Sequence, residues 1–439
     1  MKKNYILTFI AEFAVLLSQI LVFKLSAVFL GKQGFGEYAL TRRSISLIVP
    51  ILLLGLGVGI PRYVAIARAR TINPENPESY LISAFSMVTI TVFIFLLAMN
   101  LLSKEVAYLF FGNQGYQYLI WPIASAIAGL CFHSLAYNYY RGCLKMLPAN
   151  LLQLVNIGLV PPLVFVLPNI SVSNLFSTLG LVWVTTSGMV ILYVFRKNRP
   201  MVTPMGSREK RGTPSRRRNY SLSELKDNSK QLLGYGAVRV PGELGLMGFL
   251  SLPAFFTAHI FGVEKAGLVA FAITVLSLIG SIFNPLGLLL LPVASNQMAK
   301  RDLSLLKLNL KKLLKISLGL TFLIVLFLEV FAPAIIKIYL GKEFLEAAKI
   351  MRLVLIGAVP YVVYVIFRNA SDALYVKPMN MKNVMIALSF FVVMALISSS
   401  FAYLVTALCG GLFILGVFTW YDVRRALNKG IKLESGIKI

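Results

Sequence analysis

The chain has 439 residues, 58% of them hydrophobic, a mean hydropathy of +0.78 and a formal net charge of +26. No water-soluble surface could hide that much apolar side chain, so a soluble globular protein is excluded. The 43 Lys and Arg face only 17 Asp and Glu, and their placement along the chain explains the excess through membrane topology and anionic lipids, without a nucleic acid.

Twelve apolar runs follow one another at 5–29, 44–67, 79–102, 118–140, 149–167, 174–195, 231–258, 266–295, 313–336, 346–367, 383–401 and 404–421. Most reach the roughly 20 residues that a bilayer-crossing helix requires. Backbone groups in lipid must be satisfied internally, and continuous runs satisfy them as helices, whereas a barrel would show short alternating segments. The expected fold is an all-α polytopic membrane protein of about 12 transmembrane helices. The first run contains Glu12, is about twice as long as a signal-peptide core and lacks a small-x-small cleavage site, so it reads as an uncleaved span. Odd-numbered gaps carry only Lys32, Arg42, Arg43, Lys104, Lys265, Lys337 and Lys342, while most other basic residues sit at the N-terminus, in the even gaps or at the C-terminus. That bias places both termini on the cytoplasmic side of an inner or plasma membrane.

Residues 196–230 interrupt the apolar pattern with eleven Lys or Arg against three Asp or Glu. Such a segment cannot bury a core and reads as a basic cytoplasmic linker that attracts anionic lipid headgroups. Within it, Ser221 to Glu224 forms a capping box opening a short helix. The linker divides the chain into an N-terminal six-helix lobe (1–195), a C-terminal six-helix lobe (231–425) and a cytoplasmic tail (426–439). A gapless shift of 231 aligns 12–61 with 243–292, with eleven identities in fifty positions, among them Glu12/Glu243, Gly36/Gly267, Ala39/Ala270 and Pro61/Pro292. Chance in so apolar a chain would give roughly four. Two parallel repeats imply a pseudo-two-fold axis along the membrane normal, the plan of an alternating-access transporter. Residues 296–312 place leucines 303, 306 and 310 on one face and read as an interfacial amphipathic helix.

Charges inside apolar runs cost roughly 2.5–3.5 kcal/mol on insertion scales, so each requires a reason. Arg239 and Glu243 are four residues apart in the seventh run, with Pro241 and Gly242 between them as helix-breakers. Interrupted helices are where secondary transporters place substrate and coupling sites. Arg239 is accordingly a candidate for binding an anionic group, and Glu243 for titrating or releasing it; mutual neutralisation is the alternative. Glu12 is either a coupling carboxylate or an acid bonded to a neighbouring helix, and Lys24 either joins a substrate site or snorkels. Arg42 and Arg43 are the adjacent basic pair on the outer side, placed to hold a phosphate or simply solvated. Pro61 and its repeat-mate Pro292 are candidate gating positions in the second and eighth runs. His133 reads as a helix-to-helix hydrogen-bonding group. Cys131, Cys143 and Cys409 suggest neither a disulfide nor a metal site. No Walker loop, GxSxG or HExxH is present, so no cofactor, metal or catalytic residue is expected.

The stretch Leu30-Gly-Lys-Gln-Gly-Phe-Gly-Glu-Tyr-Ala-Leu40, with Leu-Gly-Leu-Gly-Val-Gly-Ile-Pro-Arg-Tyr63, resembles the polysaccharide-biosynthesis, Wzx-like flippases. These are lipid-linked oligosaccharide transporters of the multidrug/oligosaccharidyl-lipid/polysaccharide (MOP) superfamily. Tyr-Arg141-Gly leading to Asn150, and Arg239-Val-Pro-Gly, are also similar to that family. The resemblance implies two six-helix lobes of MATE/MOP type around a cationic cavity. It also implies a polyprenyl-(pyro)phosphate-linked glycan as substrate, glycan polymerase or assembly proteins as partners, and Arg239 as a phosphate or acidic-sugar ligand. A cation-coupled multidrug exporter of the same fold is the alternative. A membrane glycan polymerase is a further one, disfavoured by external gaps that are all short.

Overall fold

The computed structural model describes residues 2–69, 76–197, 221–299, 303–375, 379–398 and 400–429, with the side chains of 2–6, 69, 197, 284–299, 303, 305, 372–373 and 429 left aside. Most of the basic linker (198–220) and the end of the tail (430–439) therefore lie outside the described residues. Every regular element described is helical. The elements are α1 (Lys2–Leu53), α2 (Leu56–Ala69), α3 (Pro77–Leu101), α4 (Ser103–Phe111), α5 (Ile120–Gly142), α6 (Met146–Gln153), α7 (Val160–Val164) and α8 (Val172–Lys197). After the linker come α9 (Leu222–Gly236), α10 (Val240–Phe261), α11 (Val263–Ala299), α12 (Leu303–Tyr339), α13 (Glu346–Leu355), α14 (Ala358–Leu374), α15 (Met379–Leu396) and α16 (Phe401–Lys429).

By length and composition, 10 of the described helices can cross a membrane, or 11 counting the bent pair α13–α14 as one span. The sequence led to about 12. The difference lies in α1, whose apolar part Leu7–Leu53 counts once at 47 residues. At 1.5 Å per residue that is about 70 Å of helix, more than twice a hydrocarbon core. Gly31, at φ 65 and ψ −172, breaks it where only a residue without a Cβ sits comfortably, so α1 holds one crossing and the start of the next. The second continues into α2 through a break at Leu54 and Gly55.

Contacts divide the chain into two compact units. Unit 1 comprises Met1–Leu25, Ile48–Ala107 and Gly115–Val240, and unit 2 comprises Ser26–Leu47, Tyr108–Gln114 and Pro241–Ile439. In unit 1, α5 is the buried centre. Gly180 of α8 presses against Ser125, and Gly129 of α5 lies against Trp183, so small residues let those two helices approach closely. The capping box forms as expected, the Ser221 hydroxyl accepting from the Glu224 N–H at 3.0 Å. α9 then docks on α3: Asn228 donates to Ser79 at 2.7 Å, Ser83 to the Leu225 carbonyl at 3.0 Å, and Tyr80 to Gln231 at 3.0 Å.

In unit 2, Leu306 and Leu310 of α12 are buried with Phe367, Ala370 and Leu374 of α14 and Val423 and Ala426 of α16. The leucine face expected at a membrane interface is thus spent inside the protein, while Lys307 on another face bonds Asn428 at 3.0 Å. The second half of α1 meets α11 at two glycines: a Cβ on Gly267 would stand 2.6 Å from the Gly36 Cα. Beside them Phe35 packs on Phe271 (centroids 6.3 Å apart) and on Phe344 (5.1 Å).

Gly267→Val has no room and is expected to destabilise unit 2 by about 1–3 kcal/mol, the usual cost of overpacking. Gly188→Ala, where a Cβ meets nothing within 4 Å, should leave stability unchanged. Thermal unfolding of the two detergent-purified variants checks both; equal melting temperatures would remove the α1–α11 contact from the packing argument.

Candidate functional site

The turn at Ala237–Arg239 separates α9 from α10, so Arg239 precedes the transmembrane helix rather than lying inside it. Its Nη1 donates to the Tyr235 carbonyl at 2.8 Å, and its guanidinium lies 3.8 Å from the centroid of the Tyr235 ring. Arg62 of α2 approaches the same ring at 4.5 Å and donates to its hydroxyl at 3.2 Å. One tyrosine therefore holds two exposed guanidinium groups by cation–π attraction. Tyr63 supports that ring edge-on at 5.9 Å and stacks on Tyr80 at 5.6 Å. Among the described residues no carboxylate pairs with Arg62 or Arg239, so Arg239 is held by Tyr235 and not by Glu243, the alternative partner.

Pro61 lies within α2, beside a close helix crossing. A Cβ on Gly142 of α5 would stand 3.0 Å from the Pro61 Cα. Arg62 and Arg141 are the sequence neighbours of the two residues at that crossing. Arg141 lies over the Tyr137 ring at 5.4 Å, and the Tyr137 hydroxyl donates to Glu12 at 3.3 Å. Glu12 is exposed on α1, and its partner is on a neighbouring helix. Three arginines and one carboxylate thus stand on aromatic supports in unit 1. Paired guanidinium forks match the oxygens of a phosphate or carboxylate.

Deeper in unit 1 lies a neutral polar network. His133 bonds Gln153 at 2.9 Å through Nε2 and Asn156 Nδ2 at 3.1 Å through Nδ1. An acceptor on one nitrogen and a donor on the other describe a neutral imidazole carrying its proton on Nε2. Asn156 also donates to Ser187 at 3.4 Å, accepts from Thr186 at 3.0 Å, and offers its carbonyl to the Trp183 indole at 2.6 Å. It sits on a π-helical turn, Leu154–Leu159, a distortion that frequently marks functional positions. The helix-to-helix role expected of His133 is the one found.

Arg42 and Arg43 are not in a loop. They lie in the second half of α1, half-buried in unit 2. Arg42 donates to the Tyr38 hydroxyl at 3.5 Å. Arg43 donates from Nη2 to the Ala270 carbonyl and the Thr274 hydroxyl, both at 2.9 Å. Lys24 is exposed on the first half of α1, and Glu243 is exposed in the first turn of α10. Pro241 and Gly242 occupy that same turn, so they begin a helix instead of breaking one, because a missing N–H is harmless there. Pro292 lies on the part of α11 whose side chains are outside the described set. Arg352 is tied to Glu329 by two bonds to its carbonyl, at 2.9 and 2.7 Å, and an ion pair of 3.6 Å. Arg62 and Tyr235 are absent from the sequence-derived site. A charge inside the second apolar run was the available signal for Arg62; Tyr235 had none.

A sequence model described as polysaccharide biosynthesis protein matches residues 1–298. No curated protein matches the chain by sequence. Among solved structures, the inward-facing conformation of a multidrug resistance MATE family transporter of the MOP superfamily is similar over 96% of this chain and 96% of that one, with a TM-score of 0.75 and 14% identity. The lipid II flippase MurJ in an inward closed conformation covers 98% of this chain and 90% of its own, at a TM-score of 0.68 and 12% identity. A MOP superfamily transporter from Pyrococcus furiosus, described as having a binding pocket of reverse polarity, covers 94% and 95% with a TM-score of 0.58 and 15% identity. The fold is therefore the all-α MATE/MurJ type over nearly its whole length.

Replacing Asn156 by Leu strips partners from His133, Thr186 and Ser187 at once and should cost about 2–4 kcal/mol, since buried polar groups are left unsatisfied. Thr186→Val alone should cost about 1 kcal/mol. Melting curves of the purified variants test this, and an Asn156→Leu protein as stable as its parent would show the network to be incidental.

Proposed function

The chain belongs to the polysaccharide biosynthesis protein family, and we propose that it is a flippase moving polyprenyl-(pyro)phosphate-linked glycan units from the cytoplasmic to the outer leaflet. The observation that carries this reading is the pair of exposed guanidinium groups on Tyr235, neither paired with a described carboxylate. A diphosphate supplies the missing negative charge in a geometry that two arginine forks can grip. A cationic drug would be repelled from the same place, which weighs against the multidrug exporter.

In this reading Arg62, midway along α2, and Arg239, just before the N-terminal end of α10, receive the phosphates. The positive-inside bias puts that end at the cytoplasm, and basic linker residues concentrate anionic lipid around it. Two lobes then exchange access by a rocking motion. Glu12, held by Tyr137, and Glu243 tune release of the anion by taking up protons. Lys24, Arg42 and Arg43 are further positive positions along the path, and glycan polymerase or assembly proteins receive the product.

In proteoliposomes with a labelled lipid-linked glycan, Arg62→Ala and Arg239→Ala should each slow flipping about tenfold or more, the loss of one charge-assisted contact of about 1.5–3 kcal/mol. Lys at either position should restore it in part. Wild-type rates in the double alanine variant would remove the phosphate from this site. Collapsing the proton gradient should slow the parent and leave a Glu12→Gln, Glu243→Gln protein unaffected; an insensitive parent would end the coupling idea.

A further inference from the structure

Arg43 lies twelve residues beyond the break at Gly31, about 18 Å along the helix at 1.5 Å per residue. Arg43 is half-buried, and its Nη2 donates to two neutral acceptors of α11, the Ala270 carbonyl and the Thr274 hydroxyl. No described carboxylate pairs with it. The cation whose charge reaches it is Arg42, and the neighbouring Tyr361 phenol is neutral. Low-dielectric surroundings ordinarily demand an anion for such a group. Arg43 therefore has its Nη2 donors occupied by neutral acceptors while its charge stays uncompensated.

The partners are also special by position. Thr274 is Arg43 shifted by 231, and Gly267 is Gly36 shifted by the same number. Both pairs touch within unit 2. When equivalent residues of two repeats touch, the contact lies on the axis relating them. Across such an axis the two sides are equal except where the sequence differs, and here one repeat supplies a guanidinium and the other a hydroxyl.

We propose that Arg43 is a phosphate-operated latch, which in this state fastens Ser26–Leu47 to α11 and which the substrate's diphosphate opens by taking the guanidinium away from Ala270 and Thr274. This rests on the flippase reading and adds a coupling between the bound headgroup and one helix contact. Phosphate oxygens carry the charge that the carbonyl and hydroxyl lack, so the exchange is downhill for Arg43. A neutral glycan or prenyl alcohol offers nothing better than the acceptors already in place. Once Arg43 lets go, the glycine crossing and the Phe35–Phe271 contact remain, and these have no charge to hold them in register.

Positions 36, 39, 40 and 43 share the face of α1 toward α11 by helical spacing, and Ala39 is buried. The test places Ala39→Cys in a protein whose Cys131, Cys143 and Cys409 are alanine, and follows its reaction with a membrane-impermeant maleimide in liposomes. Farnesyl diphosphate should raise the labelling rate at least fivefold and farnesol should not. Thr274→Val should raise the rate without ligand. Arg43→Gln should abolish the response to diphosphate, and a full response in Arg43→Gln overturns the latch. Flipping is measured on the same preparations. A protein that flips lipid-linked glycan without diphosphate-dependent labelling overturns the latch and leaves the flippase reading standing. One that responds to diphosphate but flips no glycan keeps the latch and removes that reading.

Discussion

A positive charge in a medium that cannot solvate it must be given acceptors, an aromatic face or an anion, and this protein uses all three for its arginines. Arg352 receives a carboxylate and two bonds to a carbonyl, and it joins α13 to α12 as a permanent structural tie. Arg43 receives neutral acceptors only. Arg62, Arg141 and Arg239 receive tyrosine rings. An aromatic face orients a guanidinium while leaving its N–H groups free to bind something else. The arginines thus grade from fully compensated to merely supported.

Packing follows a complementary rule. Apolar side chains gain little by leaving lipid for protein, so close approach depends on small residues. Gly36 against Gly267, Gly142 against Pro61 and Gly180 against Ser125 bring backbones together at the points that place functional side chains. The Gly142–Pro61 crossing holds α2 against α5; the Gly36–Gly267 crossing brings Arg43 to Thr274. Polar networks do the rest, as around Asn156, where five side chains satisfy one another without a formal charge.

Much of the candidate site was legible from residue types. Arg239 and Glu12 stood out because a charge in an apolar run is expensive wherever it lies, and Arg42 and Arg43 because an adjacent basic pair breaks the charge bias between two runs. Their surroundings were not legible. Arg239 shared a helical face with Glu243 only if the helix was continuous, and the turn at 237–239 removes that premise. Tyr235 is an ordinary residue in sequence, and it matters because α9 folds back on α3 through Asn228, Ser83 and Tyr80. The leucines at 306 and 310 looked like a membrane-surface stripe because periodicity reports an apolar face and not what covers it.

The amino-acid sequence by itself determined the all-helical membrane-spanning architecture, the charge bias along it and the identities at a spacing of 231, because these depend on composition and spacing along one dimension. Tertiary structure alone decided which charges are compensated. It set two arginines on one tyrosine, seated His133 in a neutral network, and brought Arg43 onto its own repeat-mate. Those outcomes depend on distances between segments far apart in the chain, and no periodicity within a single helix encodes them.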